Sequence, residues 1–265
     1  MGNVAYLFND YVKDLSAVSI SLTNENSDYP TENSQDEQVA LCTRSTDKAS
    51  IKYQITLSSS IALQAFSINN HNFSGGTFDI NSYTAADFTT GKTTIETKTV
   101  RLLDVYHYES SAPAARTYWE FDLTNTTSAD AYYEFGRIMA YGNLVQLTEV
   151  EDYEKPRGYG FVNIVNITPW GIRWVHKMAE RQEEFELIWT ERMATNIPGE
   201  LRTLFESIHG SAHPFVFIPD ISSTNCYYVY SKDDILNWSE KFGIGSDAHA
   251  CNFTLRLIEA VRGKA

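Results

Sequence analysis

The sequence predicts a mainly β protein built from two units, each with its own core. Three observations support this fold class. Aromatic residues make up 13% of the 265 residues, with 16 tyrosines and 14 phenylalanines, and such side chains favour strands. Apolar residues alternate with polar residues along several stretches, which is the period of a half-buried strand. Only one stretch has the apolar period of a helix.

The first half of the chain is predicted to form an antiparallel β-sandwich. Residues 24–50 are polar and rich in turn-forming residues, so we expect an irregular surface excursion that builds no core. After it, Tyr53 and Ile55 alternate with polar residues, and the same alternation returns at Phe78 and Ile80. Short strands separated by turn signals are typical of such a sandwich.

The stretch FSINNHNFSGGTFDI, residues 66–80, is interpreted as two paired strands and their connection. The polar residues 70–72 are expected at the crossover, and Gly75 and Gly76 are expected to supply the positive φ angles of a tight connection. His71 is expected to have a structural role. A place for His71 in a ligand pocket at the rim of the sandwich stays open as the alternative.

The composition changes around residues 147–160, which carry charges, Pro156 and two glycines. We place a domain boundary here, with one domain over residues 1–145 and a second over residues 146–265. In the second domain, EEFELIWT and NFTLRLIEA alternate in the manner of core strands.

The second domain also contains the helical stretch, IPGELRTLFESIHG. Its apolar residues recur at helical spacing, with Pro198 at the start and Gly210 beyond the end, which predicts a helix near residues 199–209. The following HPFVFIPD is predicted to be a short strand. Because Pro214 and Pro219 bracket it and proline cannot donate to a ladder, we expect this strand at a sheet edge.

Composition and motifs exclude several functional classes. A formal net charge of -13 opposes binding to nucleic acid, which depends on lysine and arginine. We see no apolar run of membrane-spanning length and no signal-peptide pattern, so we expect no membrane insertion and a protein kept in a cytosol. Three widely spaced cysteines do not indicate a disulfide framework.

Histidines are the first candidates for metal ligation or acid–base chemistry. They are His71, His107, His176, His209, His213 and His249. His209 and His213 have the spacing of one helical face, but Gly210 and Pro214 indicate a helix end and loop there instead. No nucleophile elbow, phosphate loop, dinucleotide fingerprint or paired-cysteine motif is present. We therefore predict no catalytic residue, no metal site and no cofactor.

Aromatic side chains offer a different kind of candidate site, because an apolar ring face suits the C–H face of a sugar. The candidates are Trp119, Tyr132, Tyr133, Trp170 and Trp174. Core packing is the more frequent use of such residues. The ligand-binding candidates that we retain are His71, Trp119 and Tyr133.

Two runs of sequence carry a resemblance to a known family. The first runs from SDYPTENSQDEQ to AFSINNHNF, and the second is RTYWEFDLTNTTSADAYYEFGRIMAYG. Together, over residues 24–142, they resemble the galactose-binding-like (discoidin-type) jelly-roll module found in tail proteins of bacteriophages. The rest of the chain, with the helix, GSAHPFVFIPD and NFTLRLIEA, is similar to the tube-like β domain of distal tail proteins.

The resemblance implies a jelly-roll sandwich followed by a tube-like β-barrel or sandwich with one packed helix. It also implies a structural role in a virion tail, at the distal tail or baseplate, assembled in the host cytoplasm. The expected partners are further copies in a symmetric ring, hexameric or trimeric, and other tail tube and baseplate proteins. In such a ring, acidic side chains would line the lumen and repel DNA. The alternative is a carbohydrate-binding adhesion module that contacts host glycans. An enzyme such as a glycan hydrolase is the least favoured hypothesis.

Overall fold

The mainly β class is confirmed by a computed structural model of the chain. It describes residues 5–7, 9–13, 18–36, 41–100, 105–142, 144–147, 157–167, 173–193, 197–222, 226–233, 238–242 and 249–259. Internal contacts divide the chain into two compact units. Residues 9–143 form the sandwich unit, and residues 1–8 with 144–265 form the sheet unit. The domain boundary proposed at residue 145 stays a prediction.

The strands are numbered in chain order. Those up to residue 147 are β1 (Ala5–Leu7), β2 (Asn9–Asp10), β3 (Val18–Leu22), β4 (Thr43–Arg44), β5 (Lys52–Ile61), β6 (Leu63–Asn69), β7 (Phe73–Tyr83), β8 (Thr93–Thr99), β9 (Val105–Tyr108), β10 (Arg116–Asp122), β11 (Thr126–Ser128), β12 (Glu134–Phe135), β13 (Arg137–Gly142) and β14 (Val145–Gln146). Those after it are β15 (Arg157–Ile167), β16 (Arg173–Met193), β17 (Phe215–Ile218), β18 (Tyr227–Ser231), β19 (Trp238–Phe242) and β20 (His249–Glu259). The helix α1 spans Ile197–Ile208, and a short 3-10 helix spans Thr31–Gln35.

Antiparallel sheets build the sandwich unit. The larger sheet has the order β11-β7-β10-β5-β3. β8 also pairs with β7, on the side away from β10. The smaller has the order β2-β13-β6-β9, and β4 and β12 form a separate pair. The sandwich predicted for this part of the chain is therefore observed.

The alternation of β10 places aromatic side chains between the two larger sheets. Trp119 and Phe121 are each 1% exposed and belong to the core. Phe66 of β6, in the opposite sheet, contacts both, at ring-centroid distances of 5.7 Å and 5.8 Å. Such tilted and edge-to-face contacts add to the stabilisation from apolar burial.

Residues 24–50 do more than run over the surface, so that expectation is in part wrong. The buried polar residues of this segment are Thr31, Ser34, Gln35, Thr43 and Ser45. The Ser34 hydroxyl lies 2.7 Å from the Tyr53 hydroxyl, and Gln35 Nε2 donates to the Val12 carbonyl at 2.6 Å. Polar groups with such internal partners can be buried at little cost, which an apolar pattern cannot reveal.

The connection between β6 and β7 also differs from the expectation. The turn consists of residues 70–72, and Asn70 supplies its positive φ of 51°. Gly75 and Gly76 lie inside β7, and of the two only Gly76 has a positive φ, 86°. Gly76 pairs with Thr126 next to an irregularity in the β7–β11 ladder, where close backbone approach requires a glycine.

The sheet unit has one eight-stranded sheet with the order β14-β1-β17-β18-β20-β16-β15, and β19 also pairs with β20. The predicted helix is confirmed as α1. Its apolar face and the predicted core strands share one cluster: Leu201, Leu204, Phe205, Ile208, Phe185, Leu187, Leu255 and Leu257. Among the described strands the order is open at both ends, so no closed barrel is present there.

The strand in HPFVFIPD lies inside the sheet, so the predicted edge position is wrong. β17 pairs with β1 on one side and with β18 on the other. Pro214 and Pro219 flank the strand without entering it, so every residue of β17 keeps its N–H donor. Within the described residues, no helix has the length and apolar character of a membrane span.

Replacement of Gly76 by alanine should destabilise the sandwich unit. A Cβ at this position would lie 2.9 Å from Thr126 Cα and would also meet the Asn125 carbonyl oxygen. The left-handed backbone alone costs about 1–2 kcal/mol for a residue with a side chain. We expect Gly76→Ala to lower the free energy of unfolding, measured by urea denaturation of the full chain, by at least that amount.

Gly75→Ala is the matched control, since Gly75 lacks a positive φ and its added Cβ would lie 3.4 Å from Thr127 Oγ1. We expect this control to leave the stability unchanged or to raise it by up to about 1 kcal/mol. Equal effects of the two substitutions would contradict the assignment.

Candidate functional site

Segments far apart in the sequence meet around the side chain of Arg44. We define the Arg44 cluster as Tyr29, Arg44, Tyr132 and Glu134. The guanidinium carbon lies 3.8 Å from the ring centroid of Tyr29 and 4.2 Å from that of Tyr132. These distances are those of cation–π contacts, worth about 0.5–2 kcal/mol each depending on solvent exposure.

An ion pair with Glu134 restrains the guanidinium of Arg44. Arg44 on β4 lies directly opposite Glu134 on β12 in the antiparallel pair. Arg44 Nε donates to Glu134 Oε2 at 2.9 Å, and Nη2 donates to the same oxygen. The two side chains are 22% and 25% exposed, so the pair is partly shielded from water. Cross-strand placement and two aromatic neighbours therefore give Arg44 a defined orientation.

Several polar groups of the Arg44 cluster have no protein partner among the described residues. Arg44 Nη1 makes no hydrogen bond to any of them, and neither do the hydroxyls of Tyr29 and Tyr132. All members of the cluster are half-buried. The arrangement thus presents hydrogen-bonding groups and aromatic rings together at a partly open surface.

Asn72 ties the turn between β6 and β7 to the segment that carries Tyr132 and Glu134. Its Nδ2 donates to the Tyr132 carbonyl at 3.1 Å and to Asp130 Oδ2 at 2.9 Å. Its Oδ1 accepts from the Glu134 backbone N–H at 2.9 Å. These bonds use the donors and the acceptor of the amide, so Asn72 is best understood as support for the cluster.

Cys42 lies beside the cluster, and the pKa of its thiol depends on burial and on the charge of Glu134. Asn70 Nδ2 donates to the Cys42 sulfur at 3.8 Å. Burial of the thiol, reinforced by the negative charge of Glu134, raises the pKa of Cys42 to about 11. The thiol is therefore protonated at neutral pH and has little nucleophilic reactivity.

Two of the retained ligand candidates, Trp119 and Tyr133, belong to the hydrophobic core. They are 1% and 2% exposed. Trp119 Nε1 donates to the Arg116 carbonyl at 3.0 Å, and the Tyr133 hydroxyl donates to the Thr126 carbonyl at 2.5 Å. In this structure neither ring presents a face to a ligand from solvent. A ligand-binding role for them stays an untested prediction.

His71, the third candidate, is half-buried in the turn between β6 and β7. Its ring stacks on Phe73 with centroids 4.6 Å apart, and its Nδ1 accepts the Phe73 backbone N–H at 3.2 Å. This tautomer-defining bond fits the expected structural role. His71 lies next to Asn72 in the chain and so borders the segment that supports the Arg44 cluster.

Among the other aromatic candidates, only Tyr132 belongs to the Arg44 cluster. Trp170 and the side chain of Trp174 lie outside the described residues. Sequence reasoning missed Tyr29, Arg44 and Glu134 as site residues. The signal that could have found Glu134 is the YYEFGR segment, which was matched to the jelly-roll family without a role for its carboxylate.

A second polar group surrounds the buried carboxylate of Glu120. The Glu120 carboxylate accepts from the Tyr83 hydroxyl at 2.6 Å and from Gln54 Nε2 at 2.8 Å, and Lys52 Nζ lies 3.6 Å away. Burial, reinforced by the hydrogen bond to Glu120, raises the pKa of Tyr83. Because the buried charge has these partners, the network stabilises the outer face of the larger sheet.

His209 and His213 come together after the end of α1, with ring centroids 5.5 Å apart. His209 has a positive φ of 51°, and the Gly210 N–H donates to the Phe205 carbonyl at 2.9 Å, which is a helix C-terminal turn. The predicted helix end and loop are therefore observed. Among the described residues, no third metal-ligating side chain joins this pair.

Solved structures similar in fold to this chain include carbohydrate-binding modules. A family 32 module from Clostridium perfringens NanJ, in complex with galactose, is 11% identical, covers 50% of this chain and 97% of its own, and has a TM-score of 0.41. A family 32 module of a family 31 glycoside hydrolase from Clostridium perfringens is 15% identical, with coverage of 51% and 95% and a TM-score of 0.42.

A family 29 fucosidase from Ruminococcus gnavus in complex with fucose is 12% identical, with coverage of 52% and 27% and a TM-score of 0.43. At these identities the similarity concerns the fold and nothing more. Comparison with models of known protein families finds no match, and comparison with curated proteins finds none either.

The environment of Cys42 makes its alkylation slow. With a pKa of about 11, only about 0.1% of the thiol is ionised at pH 8, against about a quarter for an ordinary thiol. We expect iodoacetamide to label Cys42 at least about 100-fold more slowly than glutathione, as measured by peptide mass spectrometry, with the rate rising as pH approaches 11.

Glu134→Gln removes the negative charge beside the thiol and should speed this reaction. Labelling of Cys42 at the rate of glutathione in the unaltered protein would contradict the described environment.

Proposed function

We propose that the sandwich unit is a carbohydrate-binding module whose ligand binds at the Arg44 cluster. The observation that carries the proposal is the guanidinium of Arg44, held between two half-exposed tyrosine rings and oriented by Glu134. Sugars are bound by hydrogen bonds to hydroxyl groups and by apolar contact with ring faces. The cluster offers both kinds of group within one small area.

The charges of the cluster favour a neutral ligand over an anion. The positive charge of Arg44 is balanced by Glu134, and Asp130 lies within hydrogen-bonding distance of the neighbouring Asn72. A phosphate or sulfate at this place would meet a neutral or negative local field, in a protein of formal net charge -13. A polyhydroxylated neutral ligand needs donors and acceptors and brings no charge, so it fits better.

Preorganisation supports a role in binding. An arginine side chain that is free in solution loses about 2 kcal/mol of rotamer entropy when it is immobilised. In the Arg44 cluster this cost is met on folding, because the tyrosine rings and Glu134 already restrain the side chain. A ligand that forms hydrogen bonds with Nη1 and the tyrosine hydroxyls therefore binds side chains that are already ordered. Binding does not have to offset the entropy of ordering them.

The proposed class is that of the galactose-bound family 32 module, with which the chain shares its fold. It corresponds to the carbohydrate-binding alternative of the sequence analysis. The role assigned here is binding, and no catalytic step is proposed. Contact with host glycans and location on a virion remain predictions.

Arg44→Lys should weaken glycan binding at least about tenfold, which corresponds to the loss of roughly one hydrogen bond. Lysine keeps the charge and the pairing with Glu134 but lacks the planar group that stacks between two rings. The measurement is binding of the full chain to an array of neutral and acidic glycans, followed by calorimetry with the best neutral ligand. Absence of binding to any glycan, or full binding by a folded Arg44→Lys protein, would refute the proposal.

One control and two further variants make the result specific. Arg202→Lys changes the same residue type in an exposed pair with Glu206 on α1, where the side chains are 72% and 65% exposed, and should not alter binding. Tyr29→Phe and Tyr132→Phe each remove one hydroxyl that has no partner among the described residues. They should leave the melting temperature unchanged and weaken binding severalfold.

A second function, structural assembly, is favoured by one feature of the sheet unit. β15 pairs with residues 173–185 of β16, and β16 pairs with β20 only from residue 184 onward. Among the described strands, residues 157–167 and 173–183 therefore form a two-stranded hairpin ribbon, roughly 35 Å long at the usual rise per residue. A ribbon with two unpaired edges is marginally stable alone and is a template for further strand pairing.

Shortening the hairpin ribbon tests the assembly function. Gly160 pairs with Gln182, so joining these residues through an Asn-Gly turn removes residues 161–181 and keeps the register. If a second copy of the chain pairs with the ribbon, the intact protein sediments as an oligomer and the shortened protein as a monomer that retains glycan binding. A monomeric intact protein, or an oligomer that survives the shortening, would exclude this role for the ribbon.

A further inference from the structure

Three metal-ligating side chains converge at one edge of the sandwich unit. They are Glu96 on β8, His107 on β9 and Glu109 just after β9. One ligand atom from each lies within 4.8 Å of the other two. His107 Nε2 is 2.8 Å from Glu109 Oε1, and the histidine side chain is 4% exposed. The strands belong to different sheets of the sandwich, since β8 pairs with β7 and β9 pairs with β6.

We propose that Glu96, His107 and Glu109 bind a divalent first-row transition ion of the Zn²⁺ type. With metal–ligand bonds of about 2.0–2.2 Å, neighbouring ligand atoms in such a site are roughly 3.0–3.5 Å apart. The separation already present between His107 and Glu109 is close to this range, and rotation of the Glu96 side chain closes the rest.

The donor set selects the class of ion. One imidazole nitrogen with two carboxylate oxygens suits zinc and its neighbours, whereas calcium and magnesium prefer oxygen ligands throughout. His107 Nε2 already lies 2.8 Å from Glu109 Oε1, so the nitrogen that would bind the ion faces the carboxylate ligands. Three protein ligands leave a position for water, so moderate affinity is expected.

The unpaired carboxylate of Glu96 supports the proposal independently. The Glu96 side chain makes no hydrogen bond or ion pair with the described residues. It is half-buried, and its carboxylate lies close to that of Glu109. Two carboxylates at this distance repel each other, and a divalent cation between them removes the repulsion.

Lys98 acts as a competitor for the ion. It is two residues from Glu96 on β8, and its ammonium nitrogen lies 3.4 Å from His107 Nδ1. Without metal, this contact holds the neutral ring with its proton on Nε2, where it is donated to Glu109. Binding of the ion at Nε2 moves that proton to Nδ1, so the ammonium has to turn away. The flexible lysine side chain allows this, at the expense of affinity.

No metal site is expected from the sequence, in which His107 is one of six histidines. The three ligands come from two strands in different sheets, so no spacing motif joins them. The inference is independent of glycan binding, because none of these residues belongs to the Arg44 cluster.

Calorimetric titration of untagged, chelator-treated full chain with Zn²⁺ tests the proposal. His209→Ala is the background for every variant, so that two imidazoles 5.5 Å apart do not take up Zn²⁺ together. We expect one Zn²⁺ per chain and a raised melting temperature, since the ion links the two sheets. Ca²⁺ and Mg²⁺ should give neither effect.

Glu96→Gln and His107→Gln should each weaken Zn²⁺ binding at least about tenfold. Loss of a residue that only hydrogen-bonds to a metal ligand already lowers affinity about tenfold, so loss of a ligand should cost no less. Lys98→Met should tighten it. Glu96→Gln is the decisive variant because it removes no hydrogen bond to a described residue and should fold normally by circular dichroism. No Zn²⁺ binding in the His209→Ala background would overturn the proposal, and so would unchanged affinity in a folded Glu96→Gln protein.

Discussion

The sandwich unit depends on the packing of aromatic rings around Phe121. This ring lies 6.2 Å from Tyr53, 5.8 Å from Phe66 and 6.2 Å from Phe78, centroid to centroid, so it contacts strands of both larger sheets. The separation of the sheets follows from these contacts, because close-packed rings tolerate neither a gap nor an overlap. Tyr53 also contacts Phe135, the neighbour of Glu134 on β12, at a centroid distance of 5.9 Å. The positions of Tyr29, Arg44 and Glu134 are therefore a consequence of how the core packs.

The predictable part of the fold is the part with local periodicity. The alternation of Tyr53 and Ile55 and the apolar face of α1 are visible in the sequence, and both are observed. The Arg44 cluster is different, because Arg44 and Glu134 are 90 positions apart and no period connects them. Adjacent tyrosines show the same difficulty. Tyr133 is in the core and Tyr132 is half-exposed, and residue type alone does not indicate which of the two faces outward.

The wrong position predicted for β17 and the unexpected burial of five polar residues in segment 24–50 have a common physical cause. Both expectations treated local polarity or proline content as decisive, whereas hydrogen bonding to distant residues decides burial. The Ser34 hydroxyl hydrogen-bonds to the Tyr53 hydroxyl, and β17 pairs with β1, which lies more than 200 positions earlier in the chain. A long-range pairing of this kind also assembles the Arg44 cluster, since Arg44 and Glu134 meet through the pairing of β4 with β12.

The course of the chain through β1 and β14 has a consequence for modularity. These strands are neighbours in the sheet, with Ala5 opposite Gln146 and Tyr6 opposite Val145, and all of residues 9–143 lie between them. In topological terms the sandwich unit is a domain inserted between two paired strands. The pairing of β1 with β14 holds the two ends of the inserted segment next to each other. Such an arrangement allows the inserted unit to be exchanged for another domain with adjacent termini, or for a tight turn, without breaking the host sheet. A protein built in this way can change the ligand that it recognises while its scaffold stays the same.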